Sequence, residues 1–449
     1  MKSTQYTLKE IQKVAVNETV LFMKVAAMVK KPEDLEKCMK HEFNKQPPSL
    51  FKDGEMRAPT RKSDLAAELK RGVSKIEVIP EDSIYVVDGG YYLHRVDWSN
   101  KETYQEVIDA YVEYADLHYS GEHRTIVFDG YQNQLSTKLG TQRQRALKSN
   151  SSEIIIQSTM KVTEKREDFL GNSNNKTRLI TILTPLLENK GFIVKQHNSD
   201  ADPLIVSTVL EGAKLHDKSV ILVGNDTDLT AMLMSEATAE QRIYMMFHNN
   251  PLELYCIDML KSNTPHPEHI STVHAITGCD SVSSIFGISK KKALDIMRGV
   301  CDFTQLDTFR DKNSTHQEVQ EAGEWFLLKL YGAVRCATLD KLRYIKQARI
   351  VGNSSVTKKF KLESLPPTSA AAKYHSWRTY HTTQQWLGND LPALEWGWQQ
   401  TDDEMTPCTT DLPLAPEKVL NQVSCGCKAG CNRRCQCRPW DRCHIPDVD

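Results

Sequence analysis

The feature that most constrains the fold is a repeated order of short apolar run, acidic residue and helical stretch. Four runs are continuous and rich in β-branched residues, as buried parallel strands are. They read SIYVV, RTIVF, GFIVKQ and SVILV. Stretches with apolar residues at helical spacing accompany them, as at 102–119 and in PLIVSTVLEGAKL. Strands that alternate with helices predict an α/β fold, with a mostly parallel sheet flanked by helices.

Aspartates stand where these runs, and one later apolar run, come to an end. The set is Asp88, Asp129, Asp200, Asp202, Asp226, Asp228 and Asp280. In open α/β sheets ligands bind beyond the carboxyl ends of the strands, so we expect these side chains to converge there. Gathered carboxylates repel each other, and a cation or protons must hold them together. Oxygen donors with no histidine or cysteine nearby favour Mg²⁺ or Mn²⁺ over zinc.

Taken singly, each aspartate also has a structural explanation. Asp228 could cap the helix that begins at LTAMLM, and Asp129 before Gly130 could belong to a turn. Four strand ends carry acids, however, and two of them carry a D-x-D pair. The combined pattern favours one shared metal site.

Charge and cysteine usage limit the class of protein. The net charge of −1 gives the whole chain no attraction for nucleic acid, so any such surface must be local. The N-terminus is polar, and the apolar stretch at 14–29 is too short and too charged to span a bilayer. We expect an intracellular protein, in the nucleus, with no membrane partner. Five scattered cysteines predict reduced core thiols; they are Cys38, Cys256, Cys279, Cys301 and Cys336.

Six further cysteines crowd together near the C-terminus, at Cys425, Cys427, Cys431, Cys435, Cys437 and Cys443. A disulfide scaffold does not fit a chain without a secretory signal, and thiolates at this spacing favour Zn²⁺. Two separate tetrahedral sites need more ligands than six, so bridging sulfurs, added ligands such as His444 and a shortened tail all stay open. The pattern resembles one half of the CXC (tesmin/TSO1-like) zinc module, which binds DNA. A purely structural zinc knot is the alternative.

Four segments resemble a known family in their order and spacing. They read VFDGYQNQLSTKLGTQRQR, NSDADPLIV, GNDTDLTAML and ITGCDSVSSIFGISKKKALDIM. The stretch 83–300 thereby resembles the PIN-like nuclease core of the flap-endonuclease and XPG group. The resemblance implies a structure-specific nuclease that hydrolyses phosphodiester bonds by a two-metal-ion mechanism, with DNA as its expected partner. Together with the tryptophan-rich segment before it, the zinc tail resembles uncharacterised proteins associated with mobile elements.

The same resemblance assigns roles to individual residues. Asp88, Asp129, Asp200 and Asp202 would hold one ion, and Asp226, Asp228 and Asp280 would hold or orient the second. Arg143 falls where the family has an arginine facing the scissile phosphate. Lys138 would assist it, because Ser136 stands at the family's lysine position. The family usually has glutamates at the first D-x-D pair, and the shorter aspartates can alter the distance to a metal.

Two basic segments would hold a nucleic-acid backbone by salt-dependent contacts that are largely indifferent to sequence. The first is a helix at 138–148 that contains Arg143, Arg145 and Lys148. The second is the bend of a helix-turn-helix and the helix after it, with Gly287, Ser289, Lys290, Lys291 and Lys292. Ser289 replaces a glycine of the family. By themselves, the three lysines are equally typical of a solvated helix start.

The chain divides into regions with different sequence character. They are an N-terminal helical region at 1–80, the PIN-like core at 81–300 with a helical insertion at 135–190 and a helix-turn-helix at 283–300, a C-terminal helical region at 301–400, a linker at 401–424 and the zinc tail at 425–449. Three functions stay open. They are a Mg²⁺- or Mn²⁺-dependent nuclease, a nucleic-acid-binding protein of mobile-element origin that does not cut, and an interaction scaffold whose acids are turns and caps. No oligomeric state is predicted.

Overall fold

The fold begins with short elements, in a computed structural model that describes most of the chain. The described residues are 4–8, 12–16, 31–59, 63–130, 137, 151–157, 159–197, 200–215, 218–247, 252–299, 302–333, 335–351, 361–401 and 404–417. The first elements are the paired strands β1 (Thr4–Leu8) and β2 (Gln12–Val16), helix α1 (Pro32–Cys38), the paired strands β3 (Phe51–Lys52) and β4 (Glu55–Met56), and helix α2 (Ser63–Lys70). The prediction of a wholly helical region at 1–80 is therefore wrong. Tyr6 pairs with Val14 in the antiparallel hairpin of β1 and β2.

A sheet of six strands forms the centre of the fold. Its strands are β5 (Ile84–Asp88), β6 (Arg124–Phe128), β7 (Phe192–Gln196), β8 (Val220–Val223), β9 (Ile243–Phe247) and β10 (Glu253–Cys256). They stand in the order β10-β9-β8-β5-β6-β7, and all neighbours are parallel except β9 and β10. The four predicted strands are β5 to β8, while β9 and β10 were not predicted. The predicted fold class, α/β with a mostly parallel sheet flanked by helices, is confirmed.

The strand order reverses beside β5. The chain moves outward from β5 through β6 to β7, and then returns to the other side of β5 to form β8, β9 and β10. A crevice opens at such a reversal, outside the carboxyl ends of the strands, and α/β sheets bind their ligands there. In this protein β5 and β8 border the crevice, and they pair from Ile84 opposite Val220 to Val87 opposite Val223.

Helices cover both faces of the sheet and build the C-terminal half. They are α3 (Gly89–Leu93), α4 (Tyr104–His118), α5 (Arg166–Gly171), α6 (Ser173–Asn189), α7 (Asp202–Leu215), α8 (Thr227–Glu236), α9 (Ile257–Ser262), α10 (Ile270–Ile276), α11 (Lys290–Gly299), α12 (His316–Leu330), α13 (Leu339–Val351) and α14 (Ser369–Trp386). Alternate residues of β5 and β8 enter two different apolar clusters, because successive strand side chains point to opposite faces. Val86 and Leu222 belong to one cluster, and Val87 and Ile221 belong to the other.

Helix α6 corrects the prediction of an exposed insertion at 135–190. Its residues Leu179, Ile180, Leu183 and Leu187 are fully buried in a cluster that covers one face of the sheet. These apolar residues recur at helical spacing among threonines and asparagines, and the polar composition concealed them. The segment 173–189 is thus part of the helical layer of the core.

The helix-turn-helix predicted at 283–300 contains only one helix, α11, in its described residues. The helix before it, α10, ends at Ile276, and a turn at 277–289 separates the two. The run HISTVHAIT mixes apolar residues with threonine, serine and histidine, so its sequence does not distinguish a short buried helix from a strand.

The segment after α14 packs on the body of the protein, so the prediction of a linker at 401–424 is wrong for its described part. Strands β11 (Trp398–Thr401) and β12 (Glu404–Pro407) form a hairpin. Ala415 is fully buried, and the backbone N–H of Phe43 donates to the carbonyl of Leu414 at 2.9 Å. The threonines and prolines of this segment are typical of a loop, and tertiary contacts order it.

Several predictions fall outside the described residues and stay predictions. They concern Ser136, Lys138, Arg143, Arg145, Lys148, Cys301, His444 and the six cysteines of the zinc tail. Among the described thiols, Cys38 and Cys279 are buried and free, and Cys256 and Cys336 are half-buried and free. No helix in the described part of the chain combines the length and the apolar character needed to cross a bilayer.

Candidate metal centre

Acidic residues follow each of the parallel strands β5 to β8, at the same edge of the sheet. Asp88 is the last residue of β5, and Asp129 comes directly after β6. Asp202 opens α7 after β7, while Asp226 immediately precedes α8 after β8. Because β5 and β8 border the crevice, the topology brings Asp88 and Asp226 to its two sides.

Three of the predicted ligands meet in space. One carboxylate oxygen from each of Asp202, Asp226 and Asp228 lies within 4.8 Å of the others. Asp228 is fully buried, and the other two are half-buried. Among the described residues, none of the other predicted ligands places an oxygen within 4.8 Å of all three. The assignment of Asp200 and Asp280 to the metal site stays a prediction.

Asp88 and Asp129 face the same crevice from the β5–β6 side. A Cβ atom added at Gly90 would lie 3.3 Å from Oδ1 of Asp88 and 3.8 Å from Oδ2 of Asp129, so both carboxylates approach this glycine. Burial raises the pKa of Asp88 to about 7, together with the negative charges of Asp129 and Asp226 and against the lowering effect of the Tyr91 N–H. The carboxyl group of Asp88 is thus affected by the charges of acids that follow both neighbouring strands, β6 and β8.

Backbone amides fix the orientation of three carboxylates. The N–H of Tyr91 donates to Oδ1 of Asp88 at 3.2 Å, and that of Ala201 donates to Oδ1 of Asp129 at 3.0 Å. The N–H of Asp228 donates to Oδ1 of Asp226 at 2.9 Å. Asp88 and Asp226 are therefore helix N-caps, of α3 and α8. The cap of α8 is Asp226 and not Asp228, so the alternative that Asp228 caps this helix is wrong. Asp226 both caps the helix and belongs to the acidic cluster.

The donor set suits a hard divalent cation. The cluster of three offers carboxylate oxygens only, which is the chemistry that Mg²⁺ and Mn²⁺ prefer. Acids held this close repel each other, and a divalent charge between them would remove that cost. The residues present thus fit the metal that the sequence implies.

Sequence reasoning missed one residue of the site, His274. Its Nε2 lies 2.7 Å from Oδ1 of Asp228, and both side chains are almost fully buried. The expectation of an acidic site without a nearby histidine is therefore wrong. His274 lies 46 residues from Asp228 along the chain, in an apolar run that reads as core. No local pattern pairs the two residues.

The three lysines at the start of α11 lie in different environments. Lys290 is 5% exposed, and its ammonium group donates to the carbonyl oxygens of His274 and Gly278 at the end of α10. Lys291 is exposed and lies 3.6 Å from Glu68, while Lys292 is exposed. Gly287 and Ser289 are exposed in the turn before them. Lys290 is therefore withdrawn from the predicted nucleic-acid contacts, because burial keeps its charge away from any phosphate.

Alanine variants should separate these lysines. Lys290→Ala removes a buried ammonium that bonds two carbonyls, and we expect it to lower the free energy of unfolding by about 2 kcal/mol or more. Lys292→Ala should leave that free energy within about 0.5 kcal/mol, and should reduce the salt dependence of nucleic-acid binding by roughly one unit of slope. Urea unfolding and binding titrations at several salt concentrations measure both. Equal behaviour of the two variants would contradict this division.

A raised carboxyl pKa does not by itself mark the site. At the opposite end of α8, burial raises the pKa of Glu236 to about 7, against the lowering effect of Arg310. The unfolded chain releases this proton near the ordinary value, so the folded state binds more protons between about pH 4.5 and pH 7 and loses stability as the pH rises. Above pH 7 the loss is complete.

Replacing Glu236 with glutamine should abolish that loss. We expect Glu236→Gln to raise the free energy of unfolding by about 2–3 kcal/mol at pH 8, and to change it little at pH 4.5. Chemical unfolding at the two pH values measures the difference. A gain that is the same at both values would show that the effect is not the burial of this carboxylate.

Comparisons with known proteins give a limited result. No protein-family model and no curated protein matches the chain. Among solved structures, it is similar to the T5 D15 protein co-crystallised with metal ions, at 16% identity and a TM-score of 0.38 over 68% of this chain and 91% of that one. It is also similar to T5 5'-exonuclease with bound divalent zinc, at 15% identity and a TM-score of 0.36 over 68% and 98%. For the catalytic core of Rad2 in complex with DNA substrate, the values are 14% and 0.35 over 72% and 96%. Scores this low do not establish a function, so the site is interpreted from its own geometry.

Proposed function

We propose that the protein is a structure-specific nuclease that hydrolyses phosphodiester bonds with the help of divalent metal ions. The observation that carries the proposal is the group formed by Asp202, Asp226 and Asp228 at the edge where the strand order reverses. An oxygen-only site at this edge has the chemistry for Mg²⁺ or Mn²⁺ and the place where α/β sheets bind substrates. DNA is the proposed substrate.

The aspartates divide the work of the proposed site. Asp202, Asp226 and Asp228 would hold one cation, because their oxygens meet, and Asp202 is thus moved from the ion that the resemblance assigned to it. Asp88 and Asp129, on the other side of the crevice, would hold or orient a second, with Asp200 and Asp280 as further proposed ligands. A bound divalent ion would supply a hydroxide nucleophile at neutral pH and would stabilise the charge on the leaving oxygen. The backbone amides that fix Asp88, Asp129 and Asp226 keep their carboxylates oriented while a substrate arrives.

Basic residues around the crevice would bind the substrate backbone. Lys291 and Lys292 on α11 are accessible to phosphates, together with Gly287 and Ser289 in the turn. His94, directly after α3, is exposed and stands near the positive charges of Lys176 and Arg166. Lys138, Arg143, Arg145 and Lys148 are proposed for the reacting phosphate and its neighbours. In the same proposal, the C-terminal cysteines bind Zn²⁺.

A cleavage assay tests the proposal. The full chain is incubated with labelled flaps, forks, hairpins and single strands, each with Mg²⁺, with Mn²⁺ and with a chelator. The expected result is metal-dependent cutting that prefers a branched substrate over a linear duplex of the same sequence. Binding without cutting in any metal would favour the alternative, a nucleic-acid-binding protein that keeps the fold. Absence of both would favour an interaction scaffold.

A further inference from the structure

We infer that His274 is a positioning residue, which holds the carboxylate of Asp228 in the orientation needed to bind a divalent cation. The inference rests on the proposed function and deepens it. It adds to the site a residue from α10, and it makes Trp386, at the end of α14, a support of that residue.

The contact between the two side chains is short and shielded from water. Nε2 of His274 lies 2.7 Å from Oδ1 of Asp228, and the side chains are 0% and 2% exposed. An ionised carboxylate can only accept, so the imidazole donates through Nε2. A charge-assisted bond of this length, in a place that water does not enter, fixes the direction of the carboxylate strongly.

Neighbouring elements hold both the imidazole ring and the backbone of His274. Trp386, at the end of α14, stacks on it with a centroid distance of 5.9 Å and an interplanar angle of 14°. The ammonium group of Lys290 donates to the backbone carbonyl of His274 and so ties the end of α10 to the start of α11. Turning the ring away would therefore break both its packing on Trp386 and its bond to Asp228.

Helix α14 supports the same region at two further points. The Nε2 atom of His375 is 2.8 Å from the carbonyl oxygen of Ile276, the last residue of α10. The hydroxyl groups of Thr382 and Ser281 are 2.8 Å apart, and Ser281 follows the predicted ligand Asp280. Contacts with the end of α10 and with a residue inside the turn thus hold α14 against this segment.

Residues that orient metal ligands typically contribute 10–100-fold to metal affinity or activity, so we expect an effect of about that size. His274→Phe keeps a planar ring for Trp386 and removes the donor. His274→Gln keeps a donor near the position of Nε2. The first variant should weaken Mn²⁺ binding by roughly 10–100-fold, and the second should restore most of it.

His375 provides a matched control. It is also a buried histidine bonded through Nε2, and it packs on the same helix, but its partner is a carbonyl. His375→Gln and His375→Phe should cost stability in the manner of any buried histidine and leave Mn²⁺ affinity within about twofold, because His375 bonds a backbone carbonyl and not a carboxylate of the acidic cluster. A role of His274 that is only structural predicts equal effects of the two histidines.

Calorimetric titration of the full chain with MnCl₂ is the test, with urea unfolding to show that each variant is folded. His274→Asn, whose side chain is too short to reach Asp228, replaces the phenylalanine variant if that one does not fold. A weaker Mn²⁺ affinity for His274→Phe or His274→Asn, restored in His274→Gln and unchanged in the His375 variants, supports the inference. Unchanged affinity in all variants overturns it while the proposed function stands. If the His274 variants lose Mn²⁺ affinity but the wild type shows no nuclease activity, the proposed nuclease function is overturned and His274 is still a positioning residue. A wild type that takes up no Mn²⁺ overturns both.

Discussion

Replacing Asp226 with asparagine is expected to abolish metal-dependent cleavage while the protein stays folded. The change removes one of the three carboxylates that lie within 4.8 Å of one another, and with it a full negative charge at the cation. Metal ions stabilise transition-state charge by several kcal/mol, and each 1.36 kcal/mol is tenfold in rate, so we expect a loss on the order of 10³-fold. Single-turnover cleavage of a flap substrate in Mg²⁺ measures it.

The same substitution should cost little stability, and this makes it informative. Asp226 is the N-cap of α8, and asparagine caps a helix about as well as aspartate does. We expect the free energy of unfolding to change by less than about 1 kcal/mol. Asp34→Asn is the matched control, because Asp34 is an exposed acid in the first turn of α1. Equal activity of Asp226→Asn and the wild type would exclude Asp226 from catalysis.

Replacing Gly278 with alanine is expected to produce a large loss of stability close to the site. Gly278 has a φ of +114°, in the region that side chains rarely adopt. A Cβ atom there would lie 2.6 Å from Cα of Ser284, which is backbone and cannot move aside easily. We expect the free energy of unfolding to fall by about 3 kcal/mol or more, from backbone strain and this close contact together. Since Asp280 lies two residues on, Mn²⁺ affinity should fall as well.

Gly332→Ala is the control for backbone strain alone. Gly332 has a φ of +73°, and a Cβ atom added there would meet nothing within 4 Å. It should cost only about 1–2 kcal/mol, the usual penalty for the left-handed conformation. Urea unfolding and Mn²⁺ titration of both variants give the comparison. If Gly278→Ala lowered the free energy of unfolding no more than Gly332→Ala does, the close contact between Gly278 and Ser284 would be contradicted.

The sequence predicted the parts of the site that depend on one strand at a time. Strands β5 to β8 are continuous β-branched runs, and Asp88, Asp129 and Asp226 follow three of them directly or within three residues. Parallel strands end at the same edge of a sheet, so this part of the site can be predicted from local patterns alone. Asp202, at the start of α7, joins by the same rule.

The sequence did not predict parts that depend on contacts between distant segments. His274 and Lys290 are examples, since a histidine in an apolar run and a lysine in a basic run look like core and surface. Their roles arise only when α10 packs beside α8 and when the end of α10 meets the start of α11. The hairpin of β1 and β2 and the burial of helix α6 were missed for a related reason. Tertiary packing determines the structure of segments whose sequence patterns are short or mixed.

Crystals of the full chain soaked in MnCl₂, with data collected at a wavelength where manganese scatters anomalously, test the central claim most directly. We expect an anomalous difference peak in the crevice between β5 and β8, from a manganese ion bonded to oxygens of Asp202, Asp226 and Asp228. In the Asp226→Asn variant, soaked in the same way, that peak should weaken or disappear. Manganese bound only at other acids on the surface, with none between these three carboxylates, would contradict the account.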